Sequence, residues 1–142
     1  MLIRNLALGL LLAGCSWSRP APPDYPEISQ PSGLTTRDLV VPSSGPEVAA
    51  GDTVGIHFQL RLLDRTLVES SEDTGQPLRF LVGAGVVPRG LDEGVIGMRL
   101  FGRRRLTLPP ELAFGQEGRP PLIPGDATVV FDVELMQLEP RL

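Results

Sequence analysis

The sequence predicts an α+β fold, an array of β-strands packed on one short helix. Three observations lead there. Apolar and polar residues alternate with period two along several separate stretches. Only one stretch has helical spacing. The chain has 142 residues, 42% hydrophobic and 21% charged, which suits one globular domain rather than two.

Residues 1–14 read as an address and not as structure. Met1-Leu2-Ile3-Arg4-Asn5 supplies a charged start, and Leu6 to Ala13 an apolar run. That run is far short of the ~20 residues that cross a bilayer as a helix. It ends Leu12-Ala13-Gly14-Cys15, which resembles the lipobox of bacterial lipoproteins: an aliphatic residue, two small residues, then Cys. The resemblance implies cleavage before Cys15 and lipidation of that residue. A plain secretory signal followed by a chance Cys is the alternative. Several acyl chains, at ~0.8 kcal/mol per buried CH₂, hold a protein on a membrane without a spanning helix. Ser16 at the next position implies, on the same resemblance, the outer membrane of a double-membraned bacterium, with the domain facing the periplasm.

Residues 15–33 form the expected tether. Pro20, Pro22, Pro23, Pro26 and Pro31 crowd a segment almost without aliphatic side chains, too little apolar surface to repay ordering. As polyproline II it would reach roughly 50 Å. Trp17 and Tyr25 lie inside it, either as interfacial anchors near lipid or as filler.

The folded domain is placed at 34–142. Leu34 to Val41 reads as a first strand, closed by Pro42 and a Ser-Gly-Pro turn. From Thr53, residues Val54, Ile56, Phe58, Leu60 and Leu62 point one way and Gly55, His57, Gln59 and Arg61 the other, a half-buried strand with His57 on its polar side. Pro77 to Val82 is another, ended by Gly83. Leu91 to Met98 carries acids in its first turn and apolar residues at helical spacing. Two glycines within it make packing, not propensity, its support. Arg104, Leu106 and Leu108 share one strand face, opposite Arg103, Arg105 and Thr107. The run Arg103-Arg104-Arg105 reads as a solvated strand face, with anionic lipid headgroups as the alternative partner. A long Gly- and Pro-bearing loop occupies 109–124, and Val129, Phe131, Val133 and Leu135 alternate along a last strand.

Composition narrows the chemistry. There is no Lys, one Cys (Cys15) and one His (His57). That excludes a Schiff-base Lys, a Cys/His zinc cluster, an intramolecular disulfide and most nucleophile–base pairs. No metal or other cofactor is expected. A net charge of −4 argues against a nucleic-acid partner. An enzyme built from these residues must do chemistry that asks for little acid, base or nucleophile.

Three motifs fall in order along the domain: Gly90-Leu91-Asp92-Glu93-Gly94, then Leu112-Ala113-Phe114-Gly115, then Ile123-Pro124 followed by Ala127-Thr128-Val129-Val130-Phe131-Asp132-Val133-Glu134-Leu135. Together they closely resemble the FKBP-type peptidyl-prolyl cis-trans isomerases over roughly residues 34 to 139. The resemblance implies a twisted antiparallel β-sheet wrapped around one short α-helix. It also implies catalysis of rotation about X–Pro bonds, a barrier of ~18–20 kcal/mol set by amide resonance. No bond is broken, so the composition is compatible. An apolar pocket favours the twisted amide, and a few hydrogen bonds hold it.

Carried over residue by residue, the resemblance keeps the wall Phe as Phe131, the loop aliphatic as Ile123 and the Val before the helix as Val87. Elsewhere the chain departs. A Tyr on the long strand is Phe58, a wall Phe is Val68 and the pocket Asp is Glu69. The floor Trp is Leu91, and another wall Phe is Leu78. The Tyr whose hydroxyl bonds the ligand is Phe114. A residue that offers a backbone N–H is Pro88, which has none. Phe58, Glu69, Phe114 and Phe131 are the expected catalytic set. Val68, Leu78, Val87, Pro88, Leu91 and Ile123 are the expected substrate wall. Glu69 reads either as a polar pocket group or as a solvated acid after a strand. Two lost donors, at ~0.5–1.5 kcal/mol each, imply weak activity and poor binding of the family's macrolide drugs. A peptide-binding module with decayed activity is the second reading. A structural lipoprotein using the domain as a docking surface is the third. The expected partners are proline-containing polypeptides and, through Cys15, a membrane. With neither an inserted flap domain nor a helical dimerisation arm, a monomer is expected.

Overall fold

The computed structural model describes residues 23–142. Its sheet contains β1 (Glu27–Ser29), β2 (Thr35–Val40), β3 (Thr53–Leu62), β4 (Leu67–Ser70), β5 (Leu78–Leu81), β6 (Arg103–Leu108) and β7 (Val129–Glu139), with one helix, α1 (Arg89–Gly94). The strand order is β1-β2-β6-β7-β3-β4, every neighbour antiparallel, and β5 shares the β3 edge with β4. The fold is therefore the α+β arrangement expected, a seven-stranded antiparallel sheet with one short helix.

The period-two reading of β3 holds from Ile56 to Leu60, while Gly55 is also buried beside a register shift and Leu62 is only partly buried. Val54, Ile56, Phe58 and Leu60 are buried, and Leu106, Leu108, Val129, Phe131, Val133 and Leu135 complete the same core face from β6 and β7. Phe80, on β5, joins them.

Three elements differ from expectation. β1 lies inside the segment expected to be an unstructured tether, because its backbone pairs with β2 and Asp24 makes an ion pair with Arg37. Its side chains are exposed, so the pairing is a backbone effect that composition does not register. β4 also escapes the periodicity, being four residues with no sustained alternation. The helix starts and ends earlier than the apolar spacing suggests. The Pro88 carbonyl accepts the N–H groups of Leu91 and Asp92, fixing the first turn. Gly97, at a φ of 85°, stops any continuation through Met98.

The helical glycines have a packing reason. A Cβ at Gly94 would lie 2.6 Å from a Leu106 methyl, and one at Gly90 would overlap the Leu108 side chain. The helix thus lies directly on β6, closer than any larger residue permits.

Arg104 is not part of a solvated face. It points inward with Leu106, its side chain only 15% exposed, and bonds Asp38 at 2.7 Å. Its guanidinium also donates to the carbonyls of Gly94 and Ile96 at 3.0 and 2.9 Å. The Gly94 carbonyl is an orphan of the last turn of α1 and Ile96 lies just beyond it, at the helix end where a cation is favoured. Arg105, on the outer face, pairs instead with Asp132 at 2.7 Å, which raises its already high pKa.

His57 likewise differs from a freely solvated strand residue. It is half-buried, and its Nδ1 lies 2.9 Å from the Ser71 hydroxyl oxygen, which also accepts the Phe58 N–H at 2.9 Å. Ser71 opens a 3-10 turn (Ser71–Asp73) that this bond pins against β3. Cys15, Trp17 and the rest of the expected leader lie outside the described residues.

Candidate active site

A cleft of about 740 Å³ opens between the concave face of the sheet and the entrance to α1. Its lining runs from Phe58 and Leu60 on β3 through Glu69 on β4 and Leu78 on β5 to Val87, Pro88, Leu91, Phe114, Arg119 and Phe131. Eight of the ten residues expected on resemblance therefore share one cavity.

Sheet register builds the wall. Leu60 pairs with Phe131 across β3 and β7, and Phe58 sits two residues back on the same face. Their rings lie 5.8 Å apart at 52°, a tilted aromatic pair whose polarised edges and faces attract. Leu91, 1% exposed, closes the bottom from the first turn of α1. Leu78, 36% exposed, forms part of the outer lip.

The remaining two expected residues stand elsewhere. Ile123 is wholly buried in the core and does not line the cleft. Its backbone exchanges hydrogen bonds with Arg119 (N–H to O, 2.9 and 3.0 Å), which ties the loop together beside the cleft. Val68 packs half-buried against the core, outside the lining.

The segment before α1 is fixed by Asp92, an acid that the sequence marks by the first helical turn and by the 90–94 motif, without a bonding partner. Asp92 is 8% exposed, and its two carboxylate oxygens accept the N–H groups of Gly83 and Gly85 at 2.7 and 3.2 Å. This clamps the 83–88 turn, which delivers Val86, Val87 and Pro88 to the cleft. Pro88 precedes the helix with φ of −52° and offers the cleft a carbonyl already engaged by α1.

Glu69 reconciles both readings of it. It lines the cleft, yet its side chain is 48% exposed, and its carboxylate accepts a 2.8 Å bond from Arg119. Arg119 had no signal in the sequence, since the 109–124 loop has no periodicity. Its guanidinium carbon lies 5.1 Å from the centre of the Phe114 ring, within cation–π range.

The arrangement is an apolar hollow with three aromatic rings (Phe58, Phe114 and Phe131), an aliphatic floor and charge only at the rim. Such a site can seat a proline ring and lower the barrier to amide rotation by desolvation, without acid, base or nucleophile. Comparison with known proteins agrees. Residues 45–136 match the family model described as FKBP-type peptidyl-prolyl cis-trans isomerase.

The chain belongs to the FKBP-type isomerase family.

Among curated relatives, "FK506-binding protein 4" of Dictyostelium discoideum is 45% identical over 109 residues, covering 77% of this chain and 29% of that protein. The peptidyl-prolyl cis-trans isomerase FKBP2 of Homo sapiens is 44% identical over 91 residues, 64% of each. The chain thus spans less than two thirds of these relatives' own length. In structure, it resembles the crystal structure of AtFKBP13 with a TM-score of 0.73 and 34% identity, covering 79% of this chain and 98% of that one. FkpA from Escherichia coli gives 0.72 and 33%, covering 82% and 53%. The FKBP fold expected from the motifs is the fold observed.

Proposed function

We propose that this FKBP domain is a prolyl cis-trans isomerase acting on proline-containing segments of exported proteins, held in a bacterial envelope by lipid on Cys15. The observation that carries the catalytic part is the cleft itself, where Phe58, Phe131 and Leu91 enclose an apolar floor between the sheet and α1. A planar amide is the more charge-separated form, so transfer from water to this floor penalises it relative to the twisted transition state. The Lipobox-like Leu12-Ala13-Gly14-Cys15 supports the anchor, and Ser16 supports placement on the outer membrane facing the periplasm. In this reading the domain acts as a monomer.

Turnover is expected to be modest. Phe114 has no hydroxyl and Pro88 no N–H, so the peptide is held chiefly by shape. The same loss supports the second reading, a peptide-binding module with decayed activity. Two-dimensional NMR exchange on short X–Pro peptides, with the full chain in mild detergent, separates them. Accelerated cis–trans exchange that Phe131→Leu reduces supports the isomerase. Peptide binding without acceleration overturns it in favour of the binding module.

A further inference from the structure

Two charged side chains line the cleft, Glu69 on β4 and Arg119 on the 109–128 loop, and they meet at its rim through a 2.8 Å bond. The partners are not equally fixed. Arg119 is held at its backbone by two bonds to Ile123, which is wholly buried. Its guanidinium rests over Phe114, which itself packs against the core. Glu69 is bound by Arg119 alone and stands at the exposed β4 edge. A peptide entering the cleft therefore displaces Glu69 into water at small cost and finds Arg119 still in place.

We infer that Arg119 makes this domain selective for peptides with Asp or Glu immediately before the proline. The inference rests on the prolyl-peptide reading of the cleft and names its substrate class. With the proline ring on the Leu91 floor, the preceding side chain falls at the rim, where its carboxylate takes the place Glu69 leaves. The guanidinium fork then donates charge-assisted hydrogen bonds to the peptide in place of Glu69. A Lys or Arg at the same peptide position meets a fixed like charge, and the anion available to it is the mobile one. The Phe at position 114, which gives up a hydroxyl donor, serves instead as the platform that keeps the guanidinium in position.

The test uses acetyl-Ala-X-Pro-Phe-amide peptides with X = Glu, Gln, Leu and Lys and the full chain in mild detergent. Exchange NMR gives kcat/KM, and shifts of cleft resonances give Kd. Glu is expected to exceed Lys by about three- to fivefold, the range of a partly exposed ion pair. The ratio should shrink toward one in about 0.5 M salt. Arg119→Gln should abolish the preference and Arg119→Glu reverse it, whereas Glu69→Gln, which removes the competitor, should widen it. All these positions are half-exposed, so the variants keep the core intact. Equal Kd for all X, or a preference unchanged in both Arg119 variants, overturns the inference. A Glu preference in Kd without any rate enhancement keeps the role of Arg119 and overturns the isomerase reading. Failure of every peptide to bind overturns both.

Discussion

Asp92 reaches back along the chain to accept the N–H of Gly83 at 2.7 Å, tying the first turn of the helix to the loop that precedes it. The carboxylate is buried while its bonds to Gly83 and Gly85 are part-buried, so truncating it removes two charge-assisted hydrogen bonds at once. Asp92→Ala is expected to cost about 1–3 kcal/mol, read as a lower melting temperature. It should also raise hydrogen exchange at Gly83 and Gly85 and lower kcat/KM, because the same clamp places Val87 and Pro88 on the cleft.

The cleft's missing donors can be restored. Pro88→Ile returns a backbone N–H at the helix entrance, and Phe114→Tyr returns a hydroxyl at the loop. Each hydrogen bond is worth ~0.5–1.5 kcal/mol, so the double variant should gain about one to two powers of ten in kcat/KM or in macrolide affinity. Unchanged values in both assays would show that neither position limits the site.

Close approach of α1 to β6 gives a third expectation. Gly94→Ala inserts a methyl where a Leu106 methyl already stands, 2.6 Å from the new Cβ. In a packed core such an insertion costs about 1–3 kcal/mol, despite the better helix propensity of Ala. Thermal unfolding should show a fall, at roughly 4 °C per kcal/mol. A rise would mean that the helix lifts off the strand at little cost.

The C-terminus carries a pH dependence. Asp52 accepts the N–H of Arg141 and of Ala49, both at 2.9 Å. The bond from Arg141, then that from Ala49, holds its carboxyl below the ordinary value of 3.8. A folded-state pKa below the unfolded one means stability that is present above 3.8 and lost as pH falls through the folded value. Asp52→Asn should therefore remove part of the acid sensitivity below about pH 4 while lowering stability at neutral pH. Melting curves from pH 3 to 7 on both proteins measure it.

The anchor is tested separately from the fold. Cys15→Ser is expected to move the chain from the membrane fraction to the soluble one and to abolish labelling by a radioactive fatty acid. Labelling that survives the substitution would place the lipid elsewhere.

Much of this protein was legible in its residues because burial leaves a local trace. Period-two alternation along β3, β6 and β7 reports which side of each strand faces the core, and Phe58, Leu106 and Phe131 lie where that pattern puts them. The three motifs located the family and three residues of the cleft wall, Leu91, Phe114 and Phe131, and the resemblance carried over residue by residue pointed to the others. The counts of Lys, Cys and His pointed to chemistry without a reactive side chain. What tertiary structure alone decided is the long-range pairing. Glu69 and Arg119 are 50 residues apart, and Arg104 finds the end of a helix eight to ten residues earlier. Asp92 bonds backbone groups that no side-chain pattern records, and β1 is ordered by a strand whose partner carries no mark of it. Periodicity describes one element against an averaged interior. Which polar group meets which depends on sheet register and loop path, and those are set only when the whole core closes.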